Sequence, residues 1–256
     1  MLLTIDVGNT QIYTGVFDGD RLKASFRRIS SGAVTADELG VFILAALKAN
    51  GIEPKEIKNI AIASVVPALT RSIAHCAQKY FNAEPFIVKS GVKTSLILPG
   101  YGTGELGADR VADIEGALHL YPGKNLIIID FGTANTFCAV SDKGEYKGGA
   151  ISAGIALSMN ALANGAALLS NVEIKNPGYC AGMDTQTQLQ AGIFYAGLGA
   201  IKEIRARLAA ECFKNAPHFV VGTGGLGRLY ENEGIFDAYA PDLVLTGLKI
   251  LAEKNK

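Results

Sequence analysis

Leu2-Leu3-Thr4-Ile5-Asp6-Val7-Gly8-Asn9-Thr10 and Leu126-Ile127-Ile128-Ile129-Asp130-Phe131-Gly132-Thr133-Ala134 are one pattern written twice, about half a chain apart. Each is an apolar run that ends in Asp-x-Gly-x. Each is followed by a second β-rich run, Ile12–Phe17 and Thr136–Val140. Each second run ends in a turn, Asp18-Gly19-Asp20 or Asp142-Lys143-Gly144, and each turn leads to a third run, Leu22–Phe26 or Tyr146–Ile151. The order strand, acidic glycine turn, strand, hairpin, strand therefore occurs in both halves.

Working outward, both halves continue with helices and further strands. Ala36–Asn50 carries apolar residues at helical spacing behind Thr35, an N-cap residue type. Leu189, Ile193, Phe194 and Leu198 continue at helical spacing into Ile201, Ile204 and Leu208, which predicts a long helix. Val111–Leu118 predicts another. Ile60–Val66, Pro85–Val88 and Phe219–Val221 are short apolar runs that end in turns. Strands alternating with helices imply parallel pairing and crossovers. The expected fold is α/β: two duplicated actin-like (ribonuclease H-like) domains, residues 1–117 and 118–256, facing each other across a nucleotide cleft.

Bulk properties fit this reading. The chain has 256 residues, 49% of them apolar and 19% charged, which suits one large or two small globular domains. Lys plus Arg equals Asp plus Glu at 24 each, so no overall field draws nucleic acid or an anionic membrane. No apolar run reaches the length of a membrane span. The first residues lack a basic stretch and meet Asp6 at once, unlike a secretory leader. Cys76, Cys138, Cys180 and Cys212 are scattered without a C-x-x-C pair, which predicts buried reduced thiols in a cytoplasmic protein. His75, His119 and His218 stand isolated and receive no role.

The chemistry concentrates where strands end, the place at which open α/β sheets hold ligands. Gly8 allows a close backbone turn whose amides face a phosphate, and Asn9 and Thr10 add side-chain donors. Asp6 is suited to Mg²⁺, a hard cation that takes carboxylate, water and phosphate oxygens. Asp130-Phe131-Gly132-Thr133-Ala134 repeats the device, so the pair suits a polyphosphate gripped from two sides. Gly222-Thr223-Gly224-Gly225 follows a third strand, and its glycines let a base or ribose approach the backbone. Gly107-Ala108-Asp109-Arg110 opens a predicted helix, where free N–H groups and the dipole favour anions. There Asp109 suits proton abstraction from a hydroxyl, and Arg110 suits a substrate carboxylate.

These pieces occur in a telling order. Asp6-x-Gly-Asn-Thr10, Ser64-Val65-Val66-Pro67, Gly107-Ala108-Asp109-Arg110, Asp130-Phe-Gly-Thr-Ala134, Gly148-Gly149-Ala150-Ile151, Thr185 with Gln190-Ala191-Gly192, and Thr223-Gly224-Gly225 run in sequence over nearly the whole chain. The set resembles the type III pantothenate kinases, members of the acetate kinase, sugar kinase, Hsp70 and actin superfamily. The resemblance implies a homodimer that phosphorylates pantothenate with ATP, Mg²⁺ and a monovalent cation, K⁺ or NH₄⁺, at the first step of coenzyme A synthesis. By matching position it implies Asp109 as the catalytic base. It implies Gly107, Ala108, Arg110, Ile151 and Tyr101 as pantothenate contacts, with Thr185 reaching in from the partner subunit. It implies Asp6, Gly8, Asn9, Thr10, Gly132, Thr133, Thr223, Gly224 and Gly225 at ATP, and Asp130 at the monovalent cation. The chain departs from the family where Gly100-Tyr101-Gly102-Thr103-Gly104-Glu105 lacks the usual proline, and at Cys138 and Ala153. Two other functions share the architecture: a kinase for another small alcohol, such as a sugar, and a non-catalytic nucleotide-binding regulator.

Overall fold

The computed structural model describes residues 1–30, 34–98, 106–166 and 168–256. Tyr101 lies outside the described residues. The chain divides into two compact units, 1–120 with 243–256, and 121–242. Each unit is built on one mixed five-stranded sheet.

In the first unit the strands are β1 (Leu2–Val7), β2 (Gln11–Asp18), β3 (Arg21–Ile29), β4 (Asn59–Ser64) and β5 (Phe86–Ile87). In the second they are β6 (Leu126–Phe131), β7 (Ala134–Val140), β8 (Tyr146–Ala153), β9 (Phe219–Thr223) and β10 (Ala238–Tyr239). The sheet orders are β3-β2-β1-β4-β5 and β8-β7-β6-β9-β10, so the two match strand for strand. In both, the first three strands form an antiparallel meander and the fourth and fifth pair parallel. The repeat extends to irregularities. The register shifts at Val16/Phe17 in one hairpin and at Ala139/Val140 in the other. Gly19 and Gly144 turn those hairpins at φ +58° and +82°, angles that favour glycine. The duplication expected from sequence is present as two copies of the actin-like topology.

Helices fill the crossovers. α1 (Ala36–Ala49) starts in a capping box, in which Thr35 Oγ1 accepts from Glu38 N while Glu38 accepts from Thr35 N. α2 (Pro67–Phe81) was not expected, because Pro67 reads as a stop after β4. Pro67 instead occupies the first helical turn, where its missing N–H costs nothing. Leu69, Ile73, Cys76 and Ala77 form the narrow buried stripe of α2. Together with α1 it buries one face of the first sheet through Leu3, Ile5, Ile43, Leu47, Ile60 and Ile62. α3 (Ala108–Leu120) follows β5; α4 (Ile155–Gly165) and α5 (Thr185–Phe213) lie between β8 and β9. α5 lays Phe194, Leu198, Ile201 and Leu208 into its own unit's core with Ile127, Ile129 and Phe137.

The second unit was expected to run to residue 256. α6 (Leu243–Lys254) instead packs in the first unit, on α3 and on β1, β2 and β4. The physical cause is a close helix crossing. A Cβ on Gly247 would lie 1.7 Å from the Ala112 carbonyl oxygen, and one on Gly116 would lie 2.7 Å from that of Leu243. Leu245 then joins Tyr13 and Phe17 on the face of the sheet opposite α1 and α2. Buried on both faces, β2 reads as an apolar run, not an alternating one.

Candidate active site

In the first unit the candidate residues gather at the carboxyl ends of β1, β4 and β5. β1 places Asp6 one residue before its end, half-buried, with Oδ1 shielded from solvent. The turn after it is held internally. Gly8 N donates to Gln11 O at 3.0 Å, Ser30 Oγ donates to Gly8 O at 2.7 Å, and Ser30 N donates to Thr10 O at 2.8 Å. Asn9 and Thr10 are left exposed at its tip. Next door, Val65 N donates to Val7 O at 3.1 Å, which joins the end of β4 to the same turn.

Asp109 stands in the first turn of α3. Its Oδ1 accepts from Arg110 N at 2.7 Å. That oxygen lies where a Cβ on residue 107 would be, at 2.4 Å. Gly107 therefore makes room for the carboxylate, a role the sequence did not suggest. Burial pushes the Asp109 carboxyl above the usual carboxylate range, although the Arg110 amide and guanidinium work against the rise. Carboxyls perturbed upward by burial are common at functional sites. Beside it lies a cavity of about 260 Å³ lined by Ser64, Val65, Val88, Lys89, Gly107 and Ala108, among others. Ser64, Lys89 and Ser90 carry no role in the sequence reading. Their signal was their position at a strand end, Ser64 as the last residue of β4 and Lys89 and Ser90 just past β5.

The second unit gathers its candidates in the same topological place. Asp130 stands one residue before the end of β6, beside Thr223 of β9. Gly224 follows at φ +85°, and a Cβ there would lie 2.2 Å from Asp130 Oδ1 and 2.7 Å from the Phe131 carbonyl oxygen. Tyr239 Oη donates to Gly224 O at 2.5 Å and fixes this loop. Opposite, Gly154 N donates to Thr133 O at 3.0 Å, and a Cβ on Gly154 would strike the carbonyls of Gly132 and Thr133. Asp130, Gly132, Thr133, Thr223 and Gly224 thus form one cluster with two close glycine approaches. Ile151 lies on β8 and is 65% exposed; Thr185 is the exposed first residue of α5, behind the N-cap Asp184.

Donor sets bear on the metals. Among the described residues no group of three or more His, Cys, Asp and Glu is placed to hold a metal ion by itself. A single strand-end carboxylate such as Asp6 fits an ion that arrives with phosphate and water ligands, as Mg²⁺ does. The Asp130 carboxylate and Phe131 carbonyl, facing space that a side chain on residue 224 would occupy, fit an oxygen-seeking cation. The thiols are more varied than expected: Cys76 and Cys138 are buried, Cys212 is half-buried and Cys180 is exposed, and none of them forms a disulfide.

Two sheets of this topology with acidic glycine turns at equivalent strand ends define the actin-like fold class. Solved structures agree on the fold. A candidate 2-dehydro-3-deoxygalactonokinase from Sinorhizobium meliloti superposes with TM-score 0.61 at 16% identity, over 99% of this chain and 96% of that one. A candidate N-acetylglucosamine kinase from Porphyromonas gingivalis gives 0.53 at 12%, over 100% and 99%. The family model for type III pantothenate kinase matches residues 2–207. A type III pantothenate kinase of Elusimicrobium minutum is 52% identical over 256 residues, covering 100% of this chain and 99% of the relative. One from Legionella pneumophila (strain Corby) is 44% identical over 255 residues, again covering 100% and 99%. The chain belongs to the type III pantothenate kinase family.

Proposed function

We propose that this enzyme transfers the γ-phosphoryl group of ATP to the hydroxyl of pantothenate, giving 4′-phosphopantothenate for coenzyme A synthesis. The observation that carries the reading is the seat of Asp109. The family's matching carboxylate is half-buried at a helix N-terminus, over a glycine that leaves it room, beside a cavity sized for a small molecule. Phosphoryl transfer asks the protein mainly for positioning and charge compensation. Asp109 accepts the hydroxyl proton. Arg110 holds the carboxylate at the other end of pantothenate, and Gly107 and Ala108 line the acceptor cavity. The Gly8–Thr10 turn and the Gly132–Thr133 and Thr223–Gly225 segments hold ATP. Asp6 would hold Mg²⁺ and Asp130 a monovalent cation, and these ions would offset phosphate charge.

We also propose a homodimer with Ile151 and Thr185 at a composite acceptor site. Leu157, Leu162, Leu168 and Met183 join Ile151 as exposed apolar side chains between β8 and α5, and Leu168 and Met183 are 96% and 93% exposed. Exposed apolar groups clustered in sequence fit an isologous interface. The apolar face of α5 is largely used by its own unit's core. The enzyme works in the cytoplasm, where ATP is available. Among the described residues no helix is long and apolar enough to cross a membrane.

The test is ADP release with and without pantothenate, with a sugar as a second acceptor. Pantothenate-dependent turnover and none with the sugar are expected. Turnover with the sugar alone favours the other small-alcohol kinase, and nucleotide binding without any turnover favours a regulator. Sedimentation that shows an active monomer at micromolar concentration overturns the dimer.

A further inference from the structure

Glu115 is an acidic side chain with 1% exposure in the middle of α3, six residues beyond Asp109. Its carboxylate is fully engaged. Oε2 accepts from Thr94 Oγ1 at 2.6 Å and from Ser95 N at 2.8 Å, and Oε1 accepts from Ser95 Oγ at 3.1 Å and from Lys254 Nζ of α6. Lys254 Nζ also donates to Ser95 Oγ. One residue on, Asn255 clasps the same segment: its Oδ1 accepts from Lys93 N at 2.8 Å, and its Nδ2 donates to Lys93 O at 2.9 Å. Thr94 Oγ1 in turn accepts from Leu96 N at 3.0 Å. Residues 93–96 are thus tied at several points to α3 and to the end of α6.

That segment continues directly from one wall of the cavity beside Asp109. Val88, Lys89, Ser90 and Val92 form this wall, while Gly107, Ala108 and Val111 of the α3 end form another. Val88 N donates to Ile62 O of β4 at 2.9 Å, and beyond it the wall leaves regular structure: β5 ends at Ile87, and Gly91 turns the chain at φ +88°. Glu115 therefore sits on the helix of one wall and holds the chain of the other. Burial works against an ionised Glu115, yet the bonds from Lys254, Thr94 and Ser95 outweigh it and keep the carboxyl below the usual range. Glu115 is buried but the Lys254 side chain is 36% exposed, and an ion pair that solvent reaches from one side is a weak source of stability. What such a pair supplies is a defined geometry, here the spacing between two cavity walls.

We propose that Glu115 and Lys254 are positioning residues for the acceptor: they pin the 93–96 segment to α3 and so set the width of the cavity in which Asp109 meets the substrate hydroxyl. The proposal rests on reading that cavity as the pantothenate site. Neither side chain touches a reacting atom, so their loss acts on acceptor binding and leaves the nucleotide alone.

The experiment is steady-state kinetics on intact Glu115→Gln, Lys254→Met and Lys254→Arg proteins, with pantothenate and ATP varied separately and melting temperatures recorded. Glu115→Gln and Lys254→Met are expected to raise the pantothenate KM by about tenfold, the order of effect of one lost charge-assisted hydrogen bond. The ATP KM should hold, and Lys254→Arg should recover most of the loss. The double variant Glu115→Gln/Lys254→Met should be no worse than either single one, because the two act as one clasp. Thr35→Ala, which removes the cap of α1 far from this segment in sequence, is the control for general destabilisation: its pantothenate KM should not move. An unchanged pantothenate KM in both single variants overturns the proposal. So does a loss shared equally by both substrates, or a rise in KM that Thr35→Ala reproduces. If Glu115→Gln fails to fold, Lys254→Met and Lys254→Arg decide alone. Wild-type protein without pantothenate-dependent ADP release would sink the acceptor assignment itself, which is a separate result.

Discussion

The turn after β1 and the turn after β6 occupy the same place in the same topology, yet their neighbours differ. In the first unit Asp6 pairs with Ala63 on β4, and the next residue, Ser64, enters a helix start. Ser64 Oγ accepts from Val66 N at 3.2 Å and from Thr70 Oγ1 at 2.7 Å, and α2 follows. In the second unit Asp130 pairs with Thr223, and the next residue is Gly224, folded at positive φ against the Asp130 carboxylate. A full helix follows β4, but only the short 3-10 turn Gly227–Tyr230 follows β9. In the first unit α3 brings a carboxylate to the sheet end beside a cavity. Duplication preserved the strand-end acid, while the helix after the fifth strand of the first unit carries Asp109 and the turn after the fourth strand of the second carries Gly224.

The largest expected effect tests whether the acceptor chemistry belongs to the first unit alone. Asp109→Asn should lower kcat by about 10²–10⁴-fold, the range for a positioned general base. The same change should raise the melting temperature at neutral pH. The sign follows from burial. With a folded-state pKa above the unfolded one, Asp109 contributes fully below the unfolded value, and that contribution is lost as pH rises through the folded value. Asparagine removes this loss. Kinetics and melting curves across pH check both halves; a near-normal kcat would show that the base has been misassigned. Arg110→Ala should act on the pantothenate KM instead, because the carboxylate is unchanged in the reaction.

The next effect sharpens the contrast between the two turns. Gly224→Ala forces a left-handed residue and a clash with Asp130, so it should cost about 1–2 kcal/mol in backbone strain. It should also lower activity by about tenfold or more, since a 1.4 kcal/mol barrier change already gives tenfold. Gly8→Ala meets only the Gln11 carbonyl at 3.2 Å without a positive φ, and should be the milder change. Denaturant unfolding and turnover of the two variants, side by side, would break the comparison if Gly8→Ala proved the worse.

The smallest expected effect concerns the cation. If Asp130 holds a monovalent ion, replacing K⁺ by Na⁺ at fixed ionic strength should slow wild-type turnover, and Asp130→Asn should be insensitive to the exchange. Equal wild-type rates in both salts would remove the ion from the second unit.

The sequence alone determined the duplication, because a strand that ends in Asp-x-Gly needs only local chemistry: an apolar run, a turn residue and a hairpin. It also marked Asp6, Asp109, Asp130 and Gly224, since each stands at an element boundary where periodicity breaks. Three things were decided only by tertiary structure. Gly107 makes room for Asp109, whose carboxylate occupies the space where a side chain on residue 107 would be, which no linear pattern reveals. α6 looked like part of the second domain, but its burial on many sides hides its periodicity, and its partner α3 lies more than a hundred residues earlier. The clasp of Glu115 with Thr94, Ser95 and Lys254 joins three distant segments whose residues are unremarkable singly. Local propensity and pattern write themselves into adjacent residues, whereas close approach and charge pairing depend on segments that meet only once the chain has folded.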